Sequence, residues 1–116
     1  MKKILLGASF LLCTFGVLAE KNYTVEQLHE MIAAKHYPEI KEYKVSGSGD
    51  MPDIDACKQR LEERSGDFAQ YPRTVEQDTV NVKYEITTWM LNKAQKVICE
   101  MKDGKAEVVQ LDAEYK

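Results

Sequence analysis

The sequence predicts an α+β protein in which two helices pack on a three- or four-stranded antiparallel sheet that ends in a β-meander. Three observations support this fold class. Two segments carry apolar residues at helical spacing between recognisable start and stop signals, and the last third of the chain alternates apolar with polar residues. A single pair of cysteines connects these two kinds of segment and predicts one disulfide.

The first helix is expected over residues 24–36. Thr24 and Gln27 have the spacing of a capping box, and Pro38 stops the helix because the residue before a proline disfavours helical geometry. The apolar residues of the segment recur on one side: Val25, Leu28, Met31 and Ile32. This helix therefore needs an apolar surface to cover.

Residues 39–46 predict a short strand at a sheet edge, because Tyr43 and Val45 alternate with charged residues. The glycine- and serine-rich residues 47–50 that follow predict a loop. They lack the lysine of a phosphate-binding P-loop, and the acidic residues after them would repel phosphate. No ligand is therefore expected at this loop.

The second helix is expected to begin near Pro52 and to end before Pro72. Asp53 and Asp55 lie in its first turn, where the helix dipole favours acidic side chains. Its apolar residues form a narrow stripe: Ile54, Cys57, Leu61 and Phe68. Such a stripe requires a flat partner, which a sheet face would supply.

The meander is predicted from the alternation that starts at Val80 and from two turns. Asp103 with Gly104 predicts a two-residue hairpin turn, and Asn92 with Lys93 predicts a second. Both turns place the same side chains on one face of the sheet: Val82, Tyr84, Ile86, Val97, Cys99, Met101, Ala106 and Val108. Because a shift of one residue would scatter this set over both faces, the agreement supports the meander.

A structural disulfide is predicted between Cys57, in the middle of the second helical stripe, and Cys99, at the centre of the apolar sheet face. This bond would hold the second helix across the sheet. The alternatives are two buried free thiols or a redox or metal site. The chain has no CxxC motif to support a redox or metal site.

Residues 1–19 are typical of a secretory signal peptide, because two lysines precede an apolar run that ends at a small residue, Ala19. Its removal leaves one small domain, residues 20–116, in the periplasm or secreted from the cell. Retention of the segment as a membrane anchor and lipid attachment at Cys13 are the alternatives. Leu12 disfavours lipid attachment, since lipoprotein processing needs a small residue at that position.

The charge balance restricts the possible partners. The chain holds 16 Lys and Arg against 19 Asp and Glu, a formal net charge of −3 that becomes more negative when the leader lysines are removed. Such a surface repels phosphate backbones and anionic lipids, so no nucleic-acid partner is expected. After the leader, no stretch is apolar enough to be expected to span a membrane.

The sheet face opposite the disulfide is the predicted partner-binding surface. Its residues cluster at one end, beside charged positions: Thr87, Trp89, Ile98, Val109 and Leu111. An apolar patch that contains a tryptophan and adjoins charges is typical of protein-binding hot spots. The alternative is that the helix at residues 24–36 lies over this face and makes it a second small core.

Metal binding and catalysis receive less support. His29 and His36 could bind Zn or Cu with nearby carboxylates, but residues seven apart stand about 10 Å apart along a helix, too far to share one ion. No metal and no cofactor is therefore predicted. The chain has no GxSxG or HExxH motif, and a cysteine nucleophile would compete with the disulfide.

These observations together predict a small exported protein of the bacterial envelope that acts by binding a folded protein, as an inhibitor, immunity or accessory protein. The alternative is a periplasmic carrier of a small ligand or metal that uses the first helix and an adjoining pocket. A hydrolase with an unrecognised site is the third possibility. Exposure of Trp89 and Ile98 would favour the first function, whereas burial of both beneath the helix would remove its main support.

Overall fold

The computed structural model describes residues 21–64 and 68–116, so the predicted signal peptide at residues 1–19 lies outside the described residues. The secondary-structure elements are, in chain order, α1 (Val25–Ala33), β1 (Lys44–Met51), α2 (Ile54–Glu63), β2 (Arg73–Thr79), β3 (Lys83–Trp89), β4 (Lys93–Lys102) and β5 (Lys105–Glu114). The α+β class, the antiparallel sheet and the two helices are confirmed. In the described part of the chain, neither helix has the length and hydropathy needed to cross a bilayer.

The sheet has five strands rather than the predicted three or four, in the spatial order β1-β5-β4-β3-β2. Every neighbouring pair is antiparallel. The additional strand is β2, which lies at one edge and is mostly exposed. Its polar sequence, with Val75 as its one strongly apolar residue, carries little alternation, so the pattern did not predict it.

The opposite edge is formed by β1, and the predicted edge position of this segment is correct. The strand nevertheless spans Lys44–Met51 instead of residues 39–46, so the predicted glycine loop at residues 47–50 is wrong. Gly47 pairs with Gln110 and starts a continuous ladder with β5. Glycine is tolerated there because an edge strand packs few side chains.

The turn between β4 and β5 is the predicted one. Asp103 has φ 52° and Gly104 has φ 82°, the positive values that a primed two-residue turn requires. Met101 pairs with Ala106 and Cys99 with Val108, as this turn predicts.

The turn between β3 and β4 lies one residue earlier than predicted. Leu91 and Asn92 occupy it, and the backbone N–H of Met90 donates to the Lys93 carbonyl (2.9 Å). Tyr84 consequently pairs with Cys99 rather than with Met101. This shift of two residues keeps every side chain on the predicted face, since strand side chains alternate with a period of two.

The disulfide between Cys57 and Cys99 is confirmed, with 6.5 Å between the Cα atoms. The helix that carries Cys57 starts where the Asp53 carboxylate accepts a hydrogen bond from the Ala56 N–H (2.8 Å). Around the bond lies the larger core, formed by Ile54, Cys57, Ile86, Val97, Cys99 and Ala106. Helix α2 is thereby attached to the sheet both covalently and by packing.

Helix α1 packs on the other face of the sheet. Its capping box is confirmed: the Gln27 N–H donates to Thr24 Oγ1 (3.0 Å), and the Thr24 N–H donates to Gln27 Oε1 (2.9 Å). The helix ends at Ala33 and not at residue 36, because Lys35 adopts φ 60° and breaks the helical geometry. A second core forms here from Leu28, Trp89, Ala94 and Tyr115.

Candidate functional site

The central residue of the predicted partner-binding surface is buried. Trp89 is 6% exposed and packs with Leu28 of α1. The Tyr37 ring stacks on the indole at a centroid distance of 5.6 Å, and the indole N–H donates to Thr74 Oγ1 (2.8 Å). Thr87 beside it is 1% exposed. These two residues form part of the protein interior, as the alternative of a second small core expected.

The other three residues of the predicted surface remain half-buried and close together. Ile98 pairs directly with Val109, and Leu111 pairs with Lys96. The structure therefore brings the predicted set onto one face but divides it into a covered end and a more open end. A binding role for the open end stays a prediction.

A polar network lies beside these residues on the same face. The Thr87 hydroxyl donates to Glu76 Oε1 (3.0 Å), and burial raises the pKa of the Glu76 carboxyl. Lys96 lies 3.1 Å from Glu85, and its ammonium is 5.0 Å from the centre of the Tyr43 ring. These groups interact with one another, so the network links the strands β2, β3 and β4.

An open groove of about 500 Å³ lies on the disulfide side of the sheet, between α2 and the edge strand β1. Gly47 and Gly49 line it on the strand side, and a Cβ added at Gly49 would meet no atom within 4 Å. Arg60 and Arg64 line it on the helix side. The groove therefore combines exposed backbone with two cationic side chains.

All three arginines of the chain lie on this side of the sheet. Arg64 also lines a smaller neighbouring pocket together with Arg73, on β2. Burial and then the positive charge of Arg73 lower the pKa of Arg64. The three residues thus concentrate positive charge beside α2.

The arginines and most of the lysines differ in their ion pairs. Seven of the eleven lysines in the described residues form ion pairs with carboxylates. Within residues 21–64 and 68–116, by contrast, none of the three arginines has a carboxylate oxygen within 4.0 Å. Arginine is the side chain best suited to bidentate carboxylate binding.

The orientation of Arg64 is set by two contacts. Its Nη2 donates to Gln95 Oε1, and its guanidinium carbon lies 4.4 Å from the centre of the Phe68 ring. Gln95 itself is buried and donates to Asp112 (3.4 Å). Arg64 is therefore held in place on the sheet, while Arg60, one turn earlier, is exposed to solvent.

A second cavity, of about 640 Å³, lies where the segment before α1 meets the β3–β4 turn. The Tyr23 N–H donates to the Leu91 carbonyl (2.8 Å) and ties these two segments together. The lining is mainly apolar with two amides: Asn22, Tyr23, Phe68, Tyr71, Met90, Leu91 and Asn92. Its composition suits an uncharged ligand with apolar surface.

The two histidines do not form a common site. His29 Nε2 lies 2.7 Å from the Gln70 carbonyl oxygen, to which it donates, whereas His36 is exposed beyond the end of α1. Across the described ranges, 21–64 and 68–116, no group of three or more His, Cys, Asp or Glu residues is placed to hold a metal ion.

The positive charge of Arg60, Arg64 and Arg73 beside α2 was not predicted from the sequence. The available signal was that every arginine of an acidic chain falls within residues 60–73, although α2 and β2 bring them together only in three dimensions.

Comparisons with protein-family models, with curated proteins and with solved structures give no match.

Proposed function

We propose that this protein is an exported, non-catalytic module that binds a protein partner through an acidic segment of that partner. The binding site is the groove between α2 and β1. The observation that carries this proposal is the set of three arginines beside α2, which have no carboxylate partner among the described residues of an acidic chain. The Cys57–Cys99 disulfide is compatible with an exported protein.

Charge complementarity supports an acidic partner. Each guanidinium presents its donors in a rigid fork that matches the two oxygens of a carboxylate. Arg64 is already oriented by Gln95 and Phe68, so little conformational entropy is lost when it binds. The disulfide fixes α2, and with it Arg60 and Arg64, relative to the groove.

The composition of the groove supports binding rather than catalysis. Its carboxylate, Asp50, is exposed and forms an ion pair with Lys105 (3.1 Å), so it lacks the apolar setting typical of a catalytic carboxyl. The carboxyl whose pKa burial raises, Glu76, belongs to the network with Thr87 on the opposite face. The remaining lining is glycine, serine, glutamine, arginine and apolar or sulfur-containing residues.

Calorimetric titration tests the proposal with two blocked peptides, hexaglutamate and hexaglutamine, at low ionic strength. We expect binding of hexaglutamate only, with an affinity that falls as salt is added. The Arg60→Gln variant should bind about tenfold more weakly, because it loses one charge-assisted contact worth roughly 1.5 kcal/mol. The control is Lys102→Gln, which removes an exposed lysine paired with Glu107 on the β4–β5 hairpin.

Three results would contradict the proposal. One is equal binding of hexaglutamate and hexaglutamine, which would remove the role of charge. Another is equal affinity of the wild type and Arg60→Gln, which would place the acidic ligand elsewhere. A loss of affinity in Lys102→Gln as large as in Arg60→Gln would likewise show general charge attraction instead of a site.

The aromatic cavity favours a second candidate function, that of a small-ligand carrier. It lies beside the start of α1 and is lined by Tyr23, Phe68 and Tyr71. The uncharged fluorescent probe N-phenyl-1-naphthylamine should then bind with enhanced emission, and Tyr71→Ser should weaken it. Unchanged emission on titration with the wild-type protein would exclude this function for apolar ligands.

A further inference from the structure

We infer that the acidic segment of the partner binds as an extended strand that adds to the free edge of β1, with acidic side chains at alternate positions facing the side of the sheet that carries Arg60. This inference rests on the proposed function and specifies how the same groove recognises its ligand. Strand addition supplies affinity through backbone hydrogen bonds, and the alternate side chains supply specificity.

The edge of β1 is available for such pairing. The strand is outermost in the sheet, and among the described residues it pairs with β5 alone. An irregularity between Val45 and Gly47 disturbs its first part, but the ladder then runs without interruption to Met51. This leaves a regular stretch of open backbone that contains no proline.

The other edge strand, β2, is less suited to strand addition. Charge does not decide between the two edges, because each carries carboxylates that have partners: Glu76 and Asp78 on β2, and Asp50 on β1. The irregularity in the pairing of β2 with β3 lies near its middle, between Val75 and Gln77, where it interrupts the regular edge. The regular ladder of β1 therefore makes it the better site for strand addition.

The two glycines of β1 lie on the side of the sheet that carries α2. Gly49 pairs with Val108, which in turn pairs with Cys99, the residue bonded to α2. Gly47 lies two residues earlier and therefore on the same side. Because neither has a side chain, the inward side chains of an added strand have space above this edge.

The alternation of strand side chains determines which pattern of acids fits. Arg60 is exposed on α2 and lines the groove, whereas Arg64 is held by Gln95 on β4, two strands inward from β1. Side chains at positions i and i+2 of a strand lie on one face. Acidic residues at every second position would thus all face the side that carries Arg60, whereas adjacent acids would point to opposite faces.

The first experiment compares two blocked peptides of equal composition by heteronuclear NMR titration. One alternates Glu with Thr, and the other has the same number of Glu residues in one block followed by Thr. We expect the alternating peptide to bind at least tenfold more tightly and to slow amide exchange in Gly47–Met51. Equal affinities, or slowed exchange in Arg73–Thr79 in place of β1, would overturn the inference.

Backbone methylation of the alternating peptide tests hydrogen bonding directly. In an extended strand, successive N–H groups point to opposite edges. N-methylation of the odd-numbered residues of the peptide therefore blocks hydrogen-bond donation at one edge, and N-methylation of the even-numbered residues blocks it at the other. We expect one of these two peptides to lose more than tenfold in affinity and the other to bind like the unmodified peptide. If both bind like the unmodified peptide, no strand pairing occurs.

A variant of the protein tests the location. Gly49→Leu fills the groove, and the substitution is accommodated because a Cβ there meets no atom within 4 Å. We expect this variant to lose peptide binding, while Val75→Leu on the opposite edge retains it. Thermal unfolding of both variants shows whether either substitution disturbs the fold.

The outcomes distinguish this inference from the proposed function. Binding of hexaglutamate that depends on Arg60 but not on strand hydrogen bonds would overturn strand addition and leave the acidic-ligand site intact. Failure of every acidic peptide to bind would overturn both. Concentration-dependent dimers that Gly49→Leu abolishes would show that a second copy of this chain, and not an acidic partner, occupies β1.

Discussion

The indole N–H of Trp89 donates a hydrogen bond of 2.8 Å to the hydroxyl of Thr74, beneath the helix that covers this end of the sheet. The bond satisfies the single polar group of a side chain that is 6% exposed. Tyr37 stacks on the outer side of the same ring. Trp89 is therefore a central residue of the second core, and we expect its removal to lower the stability of the fold rather than to remove an exposed contact.

The first prediction concerns the stability that Trp89 contributes. Trp89→Ala should lower the free energy of unfolding by about 3–5 kcal/mol, the usual cost of truncating a buried aromatic residue. Thr74→Ala should cost about 1 kcal/mol, because it leaves the indole N–H without its partner. Urea unfolding followed by circular dichroism measures both values. A Trp89→Ala variant as stable as the wild type would contradict the buried position.

The second prediction concerns the disulfide. The bond between Cys57 and Cys99 closes a loop of 42 residues, and its loss should lower the free energy of unfolding by about 4 kcal/mol in the chain-entropy model. Denaturant unfolding of the Cys57→Ala/Cys99→Ala double variant measures this difference. Thiol titration of the wild-type residues 20–116, unfolded without reductant, should find neither sulfhydryl free. Two reactive thiols in that sample would refute the bond.

The third prediction concerns Tyr115. Its hydroxyl donates to the Met90 carbonyl (2.6 Å), and burial raises the pKa of the phenol above its ordinary value of 10.0. In the unfolded chain the same group ionises near pH 10, so its contribution to stability is complete below that pH and decreases as the pH rises above it.

Tyr115→Phe should accordingly lower the free energy of unfolding by about 1–2 kcal/mol at neutral pH, because the Met90 carbonyl loses its donor. The variant should also lose less further stability than the wild type above about pH 10. Unfolding curves at neutral and alkaline pH test both statements, with the exposed Tyr37→Phe as the matched control. If the free energy of unfolding falls equally at alkaline pH in the wild type and in Tyr115→Phe, ionisation of Tyr115 does not contribute to the pH dependence.

The fourth prediction concerns the β4–β5 turn. Gly104 has φ 82°, where a side chain is strained, so Gly104→Ala should cost about 1 kcal/mol. Gly49→Ala is the control, because Gly49 does not have a positive φ and has no atom near its Cβ position. Thermal unfolding should separate the two variants. Equal melting temperatures would show that the turn tolerates a side chain.

Features that depend on neighbouring residues were predicted most accurately. The capping box of Thr24 and Gln27 and the turn at Asp103 and Gly104 each involve groups a few residues apart, so the sequence contains all the participants. The β3–β4 turn was displaced by one residue because Asn92 also fits the neighbouring turn position. Alternation still preserved the faces of the strands.

Features that depend on distant partners were missed. Strand β2 has little apolar alternation because an edge strand with two exposed faces buries few side chains. The glycines at 47 and 49 indicated a loop locally, yet pairing with β5 makes them part of a strand. The arginines were overlooked because Arg73 reaches Arg64 only after β2 has joined the sheet.

The sequence by itself determined the α+β class, the inward face of the meander and the partner of Cys57, since Cys99 is the only other cysteine after residue 19. The tertiary structure alone decided that α1 covers Trp89, that β1 and β2 form the edges, and that the three arginines lie in two neighbouring pockets beside α2. Caps, turns and side-chain alternation arise from short-range backbone geometry. Which surface is buried depends on many long-range contacts that compete for the same face, and no local pattern ranks them.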